Sequence, residues 1–227
     1  MEARLPRAIA TTLLAGVAAL LLSSGPAAPQ VQITDASVDE LLKRAEEAYR
    51  QGRTAEAARE LNRVASWASH IRDVAPGSRD PAEDRAFAER IYQRVLTTVA
   101  RTFGAEHVNV ADALMGLAAL YIEQRRSAEA EPLLRRALGI AERAPAPSDD
   151  HRQAAVARVL GQMGLLEESR GRSAEAEAHY RRALAIVERL PPRFRHGAGG
   201  AVREYLRFLR ENNRAQEAAA IEARFSR

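Results

Sequence analysis

Apolar residues return every three or four positions along most of this chain, and short polar breaks interrupt the pattern at intervals. Between Asp39 and Gln51 the stripe is Leu41, Leu42, Ala45, Ala48 and Tyr49, with Asp35 or Ser37 placed to cap the helix and Gly52 to end it. Thr54 to His70 continues as a second helix through Ala57, Leu61, Val64 and Ala65. Two prolines and a glycine make Val74 to Pro81 a loop, and Pro81 to Phe103 is then a long helix closed by Gly104. Two hairpins follow, His107 to Gln124 with Ser127 to Arg143, and His151 to Arg170 with Ser173 to Leu190. Pro191-Pro192 halts the last helix, Gly197-Ala198-Gly199-Gly200 reads as a flexible turn, and Ala201 to Asn212 with Ala215 to Phe225 close the chain. Helical spacing throughout predicts an all-α fold.

The pattern is written in repeated words. Arg126-Ser127-Ala128-Glu129-Ala130-Glu131 returns 46 residues later as Arg172-Ser173-Ala174-Glu175-Ala176-Glu177, and Arg135-Arg136-Ala137-Leu138 returns at the same offset. Weaker echoes stand at Ala88-Glu89, 42 residues before Ala130, and at Arg214-Ala215-Gln216-Glu217-Ala218, 42 residues after Arg172. A period in the forties points to stacked antiparallel helical hairpins, each burying its apolar stripe on a neighbour. Alanine supplies much of the stripe, and its small side chain lets helices approach closely.

The hairpin from Ala111 to about Arg143 resembles a tetratricopeptide repeat, through Leu114, Leu117, Ala118, Tyr121, Ala130, Leu134 and Ala137, with Pro145 near the usual proline. Phe103-Gly104-Ala105-Glu106-His107-Val108-Asn109-Val110-Ala111 and the long period resemble the kinesin-light-chain-like variety. Leu160, Met163, Gly164, Ala176, Tyr180 and Ala183 keep the register in the next hairpin, where Glu167 replaces the tyrosine. The resemblance covers roughly residues 38–225 and implies a right-handed solenoid whose first helices line a groove for a partner protein or peptide. One part does not fit it. The helix from Pro81 reads as the second helix of a repeat, and either the helix from Thr54 serves both neighbours or this unit has lost its first helix.

Residues 1–28 run from basic (Arg4, Arg7) through an uncharged stretch, Ala8 to Leu22, to small residues. That order predicts a secretory signal peptide and an exported protein, periplasmic or secreted. As a helix the apolar run spans roughly 22 Å, short of a bilayer core of roughly 30 Å, so cleavage is favoured over a retained inner-membrane anchor. Residues 29–36 are then a linker and 37–227 the repeat domain.

All but one of the 34 basic residues are arginine, Lys43 being the exception. The arginines alternate with 30 acids along the helices, which gives a solvated face rather than a nucleic-acid surface. The chain has no cysteine, which excludes disulfides, thiol catalysis and cysteine zinc sites. It carries no metalloprotease, phosphate-loop or nucleophile-elbow motif, so the reading is a non-catalytic scaffold without cofactor or metal. His107 and His151 stand at helix starts, and the adjacent pairs Glu46-Glu47 and Glu167-Glu168 read as solvated carboxylates.

Carrying the family's groove onto this chain selects Asp112, Met115, Ala119, Ile122 and Glu123, then Arg158, Gly161, Leu165, Glu168 and Ser169, then Arg203, Arg207, Arg210 and Glu211. The resulting groove is apolar in its middle and basic toward the C-terminus. Arg203, Arg207 and Arg210 share one helical stripe, for which an acidic peptide end or segment is the natural guest. The alternatives are an accessory subunit of an envelope enzyme or secretion complex, and a membrane-anchored scaffold.

Overall fold

The computed structural model describes residues 34–74, 81–144 and 148–225. The expected signal peptide, residues 1–28, and most of the expected linker lie outside them, as does Pro145. Among the described residues there are nine helices and no strand: α1 (Asp35–Arg50), α2 (Thr54–Val74), α3 (Pro81–Phe103), α4 (Val108–Glu123), α5 (Ser127–Arg143), α6 (Asp149–Ser169), α7 (Ser173–Arg189), α8 (Pro192–Glu211) and α9 (Ala215–Phe225). None is long and apolar enough to cross a membrane. Each packs against the next in sequence, and α6 also packs on α4 and α8, giving the all-α stack of hairpins that the period predicts.

Four turns share one construction. The amides of Arg53, Arg126, Arg172 and Arg214 reach back to the carbonyls of Ala48, Tyr121, Glu167 and Leu209 at 2.8, 2.8, 2.9 and 2.8 Å. The residue before each arginine is left-handed: Gly52 (φ 75°), Arg125 (φ 61°), Gly171 (φ 73°) and Asn213 (φ 60°). This closure satisfies carbonyls that a helix end would leave unpaired, and it sends the chain back antiparallel. Three residues beyond the next helix start come Ala57, Ala130, Ala176 and Ala218, all fully buried. The small side chain is required where two backbones cross.

The Pro81 helix can now be placed. Ala88 is fully buried like the other alanines of that column, so α3 has the register of a second helix. Yet α2, closed onto α1 by the shared turn, is also a second helix. Two such helices stand in succession, and α2 packs on both α1 and α3. It therefore serves both neighbours, substituting for a first helix that α3 lacks. As a result α1 runs parallel to α3: Arg94 pairs with Asp35 at 2.9 Å and with Asp39, Arg101 with Glu46, and the Tyr49 ring meets Phe103 edge-on at 4.9 Å.

Two readings need correction. The cap of α1 is Thr34 and not Asp35 or Ser37: the Thr34 side chain accepts from the Ser37 amide while Ser37 reciprocates, so the helix begins at Asp35. The run from Gly197 to Gly200 is not a turn. It is helical, and α8 starts at Pro192, a residue that tolerates the first helical position because no donor is needed there.

Candidate functional site

The face expected to hold a partner belongs to α4, α6 and α8. On α4, Met115, Ala119 and Ile122 are each half-buried, and Met115 and Ile122 lean on the core. On α6, Leu165 is also half-buried. These four side chains remain available to a guest. The arginines behave differently. Arg158 reaches from α6 to Asp112 on α4 at 2.9 Å. Burial pushes the Asp112 carboxyl above its usual range, and Arg158 opposes the shift. Arg158 is therefore a cross-link between first helices.

Arg207 is committed further. Its guanidinium donates to Glu168 of α6 at 2.9 and 3.0 Å, to Glu204 at 3.0 Å and to Glu211 at 2.6 Å. The Tyr180 hydroxyl of α7 donates to the same Glu168 carboxylate. Burial pushes Glu168 up, while Tyr180 and Arg207 hold it down. Three carboxylates thus surround one guanidinium, so this part of the stripe is not a basic surface. Arg210 pairs with Glu222 of α9. Only Arg203 of the three is exposed without a carboxylate among the described residues.

Gly161 does not line a groove either. A Cβ there would lie 2.7 Å from the Ala201 Cβ and 2.9 Å from its Cα, so Gly161 is where α6 and α8 touch. The seam between those two helices is closed at this point.

Glu167 and Glu168 are not solvated. Glu167 is only 9% exposed and binds Arg172 at 2.5 Å and Arg170 at 3.4 Å. It occupies the position of Tyr121, whose ring lies under the Arg126 guanidinium at 4.2 Å. A cation–π contact in one repeat has become an ion pair in the next. The histidines act as helix starts: His107 Nδ1 accepts from the Asn109 amide at 3.2 Å, and His151 Nδ1 lies 2.8 Å from Ser148 Oγ.

A ladder of ion pairs ties consecutive hairpins together. Glu89, Glu131 and Glu177 stand at equivalent places, and each binds an arginine of the following turn: Arg126 at 2.7 Å, Arg170 at 2.6 Å and Arg214 at 2.8 Å. The Arg126 guanidinium, aided by the Tyr121 hydroxyl and against some burial, holds the Glu89 carboxyl below the usual range. The repeated words contain the glutamates of this ladder, since each follows its column alanine directly. Elsewhere, a shallow groove of about 580 Å³ lies between α1 and α3, and two of its three arginines, Arg94 and Arg101, are already paired to Asp39 and Glu46.

Comparison with known proteins agrees with this geometry. One tetratricopeptide repeat family model matches residues 82–143 and a second matches residues 156–190. In fold the chain is similar to the crystal structure of BtubC (BKLC) from P. vanneervenii, at 20% identity and a TM-score of 0.50, over 84% of this chain and 87% of that one. Kinesin light chain TPR-like repeats from P. anserina match at 18% identity and a TM-score of 0.42, over 84% and 93% of the two chains. No curated protein matches in sequence. The matched models coincide with α3 to α5 and with α6 and α7, where the turn, the buried alanine and the ladder recur, and over these residues the chain is built of tetratricopeptide repeats.

Proposed function

We propose that this protein is a non-catalytic scaffold, exported to the bacterial cell envelope, which holds a partner protein or peptide against the face of α4 and α6. Tetratricopeptide repeats are protein-interaction modules, and that supports the general class. The observation that carries the finer reading is the set Met115, Ala119, Ile122 and Leu165, half-exposed on successive first helices while neighbouring charges are already paired. Burial of such side chains supplies affinity at about 25 cal/mol per Å² of apolar surface removed from water, with little dependence on salt. An acidic guest would find Arg203 open to it, whereas Arg207 and Arg210 would first have to leave their own carboxylates.

A photoreactive amino acid at Ala119 or Leu165, expressed in the native cell, should cross-link the same partner from both positions. The same probe at Arg136, exposed on α5, should not. Cross-linking from Arg136 alone would overturn the assignment of the face.

Export rests on the basic, apolar and small order of residues 1–28. The natural protein should begin near Ala28 or Pro29 when its N-terminus is sequenced. An intact Met1 on membrane-bound protein would establish the anchored form instead.

A further inference from the structure

Gly197, Gly199 and Gly200 lie inside α8, and packing does not ask for glycine at any of them. A Cβ at Gly197 would meet nothing within 4 Å. At Gly199 and Gly200 it would meet only the tip of the Arg203 side chain, at 3.6 and 3.7 Å. Gly116, Gly161 and Gly164 are different, since a Cβ there would fall 2.5, 2.7 and 2.4 Å from a neighbour. Each interior glycine disfavours helix by about fivefold relative to alanine, so the three together disfavour it by about a hundredfold.

The start of α8 adds to this. Pro191 makes no side-chain capping bond, as is also the case at the starts of α5 and α7, and the first turn of α8 lacks the acid that those two helices have in Glu129 and Glu175. Arg193, Arg195 and His196 place cationic or basic groups at the end where the helix dipole is positive. The contacts that oppose unwinding gather on Phe194, which also packs on the core, on Ala198 and on Arg195, which also lies over the Phe225 ring of α9 at 5.8 Å. Ala198 is buried, Phe194 meets the His151 ring at 4.6 Å, and Arg195 donates to the Leu190 and Glu188 carbonyls at 2.8 and 3.2 Å. The second half is held far better, with Ala201, Val202, Tyr205, Leu206, Phe208 and Leu209 all buried.

We propose that residues 192–200 form a latch that unwinds by itself while 201–211 stays helical. Opening bares the start of α6 around His151 and the end of α7. It gives a stack otherwise fastened by repeated turns and ion pairs one place where its surface can change shape.

Hydrogen exchange on the purified full chain tests this. Amides of Phe194 to Gly200 should exchange roughly a hundredfold faster than those of Tyr205 to Glu211, and the variant G197A/G199A/G200A should slow the first group by about a hundredfold with little change in the second. Equal rates in the two halves would overturn the latch. A variant that slowed both halves equally would overturn it too, because the opening would then be global unfolding.

Discussion

Replacing Tyr180 with alanine should cost roughly 3–5 kcal/mol in urea denaturation, among the largest single losses available in this chain. Tyr180 is one of the largest fully buried side chains, and its ring stacks on Tyr205 at 5.7 Å and meets Phe208 at 5.6 Å. It thus joins α7 to α8 while its edge fills the space beside Gly164 of α6. Alanine would leave a cavity bordered by three helices. Tyr180→Phe separates the ring from the hydroxyl. It should cost only about 1 kcal/mol, since Glu168 keeps its bonds to Arg207. If the phenylalanine variant were as damaged as the alanine one, the ring packing would not be the source of the stability.

Gly161→Leu should cost about 3 kcal/mol, because the clash is with the Cβ and Cα of Ala201, neither of which can swing aside. Leucine's better helix propensity returns only about 1 kcal/mol. The helices α6 and α8 would have to part. Adding Ala201→Gly should recover part of the loss, since Ala201 supplies the nearest atoms. A fully stable Gly161→Leu protein would mean that α6 and α8 do not touch at this point.

What could be read in the sequence follows from what each feature depends on. The hairpins and the buried column of Ala130 and Ala176 depend on local period and on a word that recurs, so they were legible. The part played by Gly161 depends on how near α8 comes, and no spacing within α6 reveals that. Arg207 shows the same limit: i, i+4, i+7 spacing put it on a stripe with Arg203 and Arg210, but its partner Glu168 is 39 residues away and its others share its own helix. A stripe of like charge on one helix says nothing about the carboxylates that the fold brings to meet it. The glycine run in α8 misled because its local preference against helix is real, and burial of the alanines among and after it outweighs that preference. Helix α3 stayed undecided because its own register is that of a second helix, and only packing reveals that α2 stands in for the first.

The ladder has a consequence for the size of the array. Each rung of the ladder reaches one hairpin back and no further, from Arg126 to Glu89, from Arg170 to Glu131 and from Arg214 to Glu177. Removing residues 127–172 would join Arg126 to Ser173-Ala174-Glu175-Ala176-Glu177, the same words that follow it now. Copy number can therefore vary by unequal recombination at these duplicated words without inventing a new junction. The length of such a protein can change in steps of 46 residues that keep the turn words. The seam on α8 would have to be rebuilt, however, because Met115 and Ile122 would then stand where Gly161 touches Ala201 and Glu168 holds Arg207.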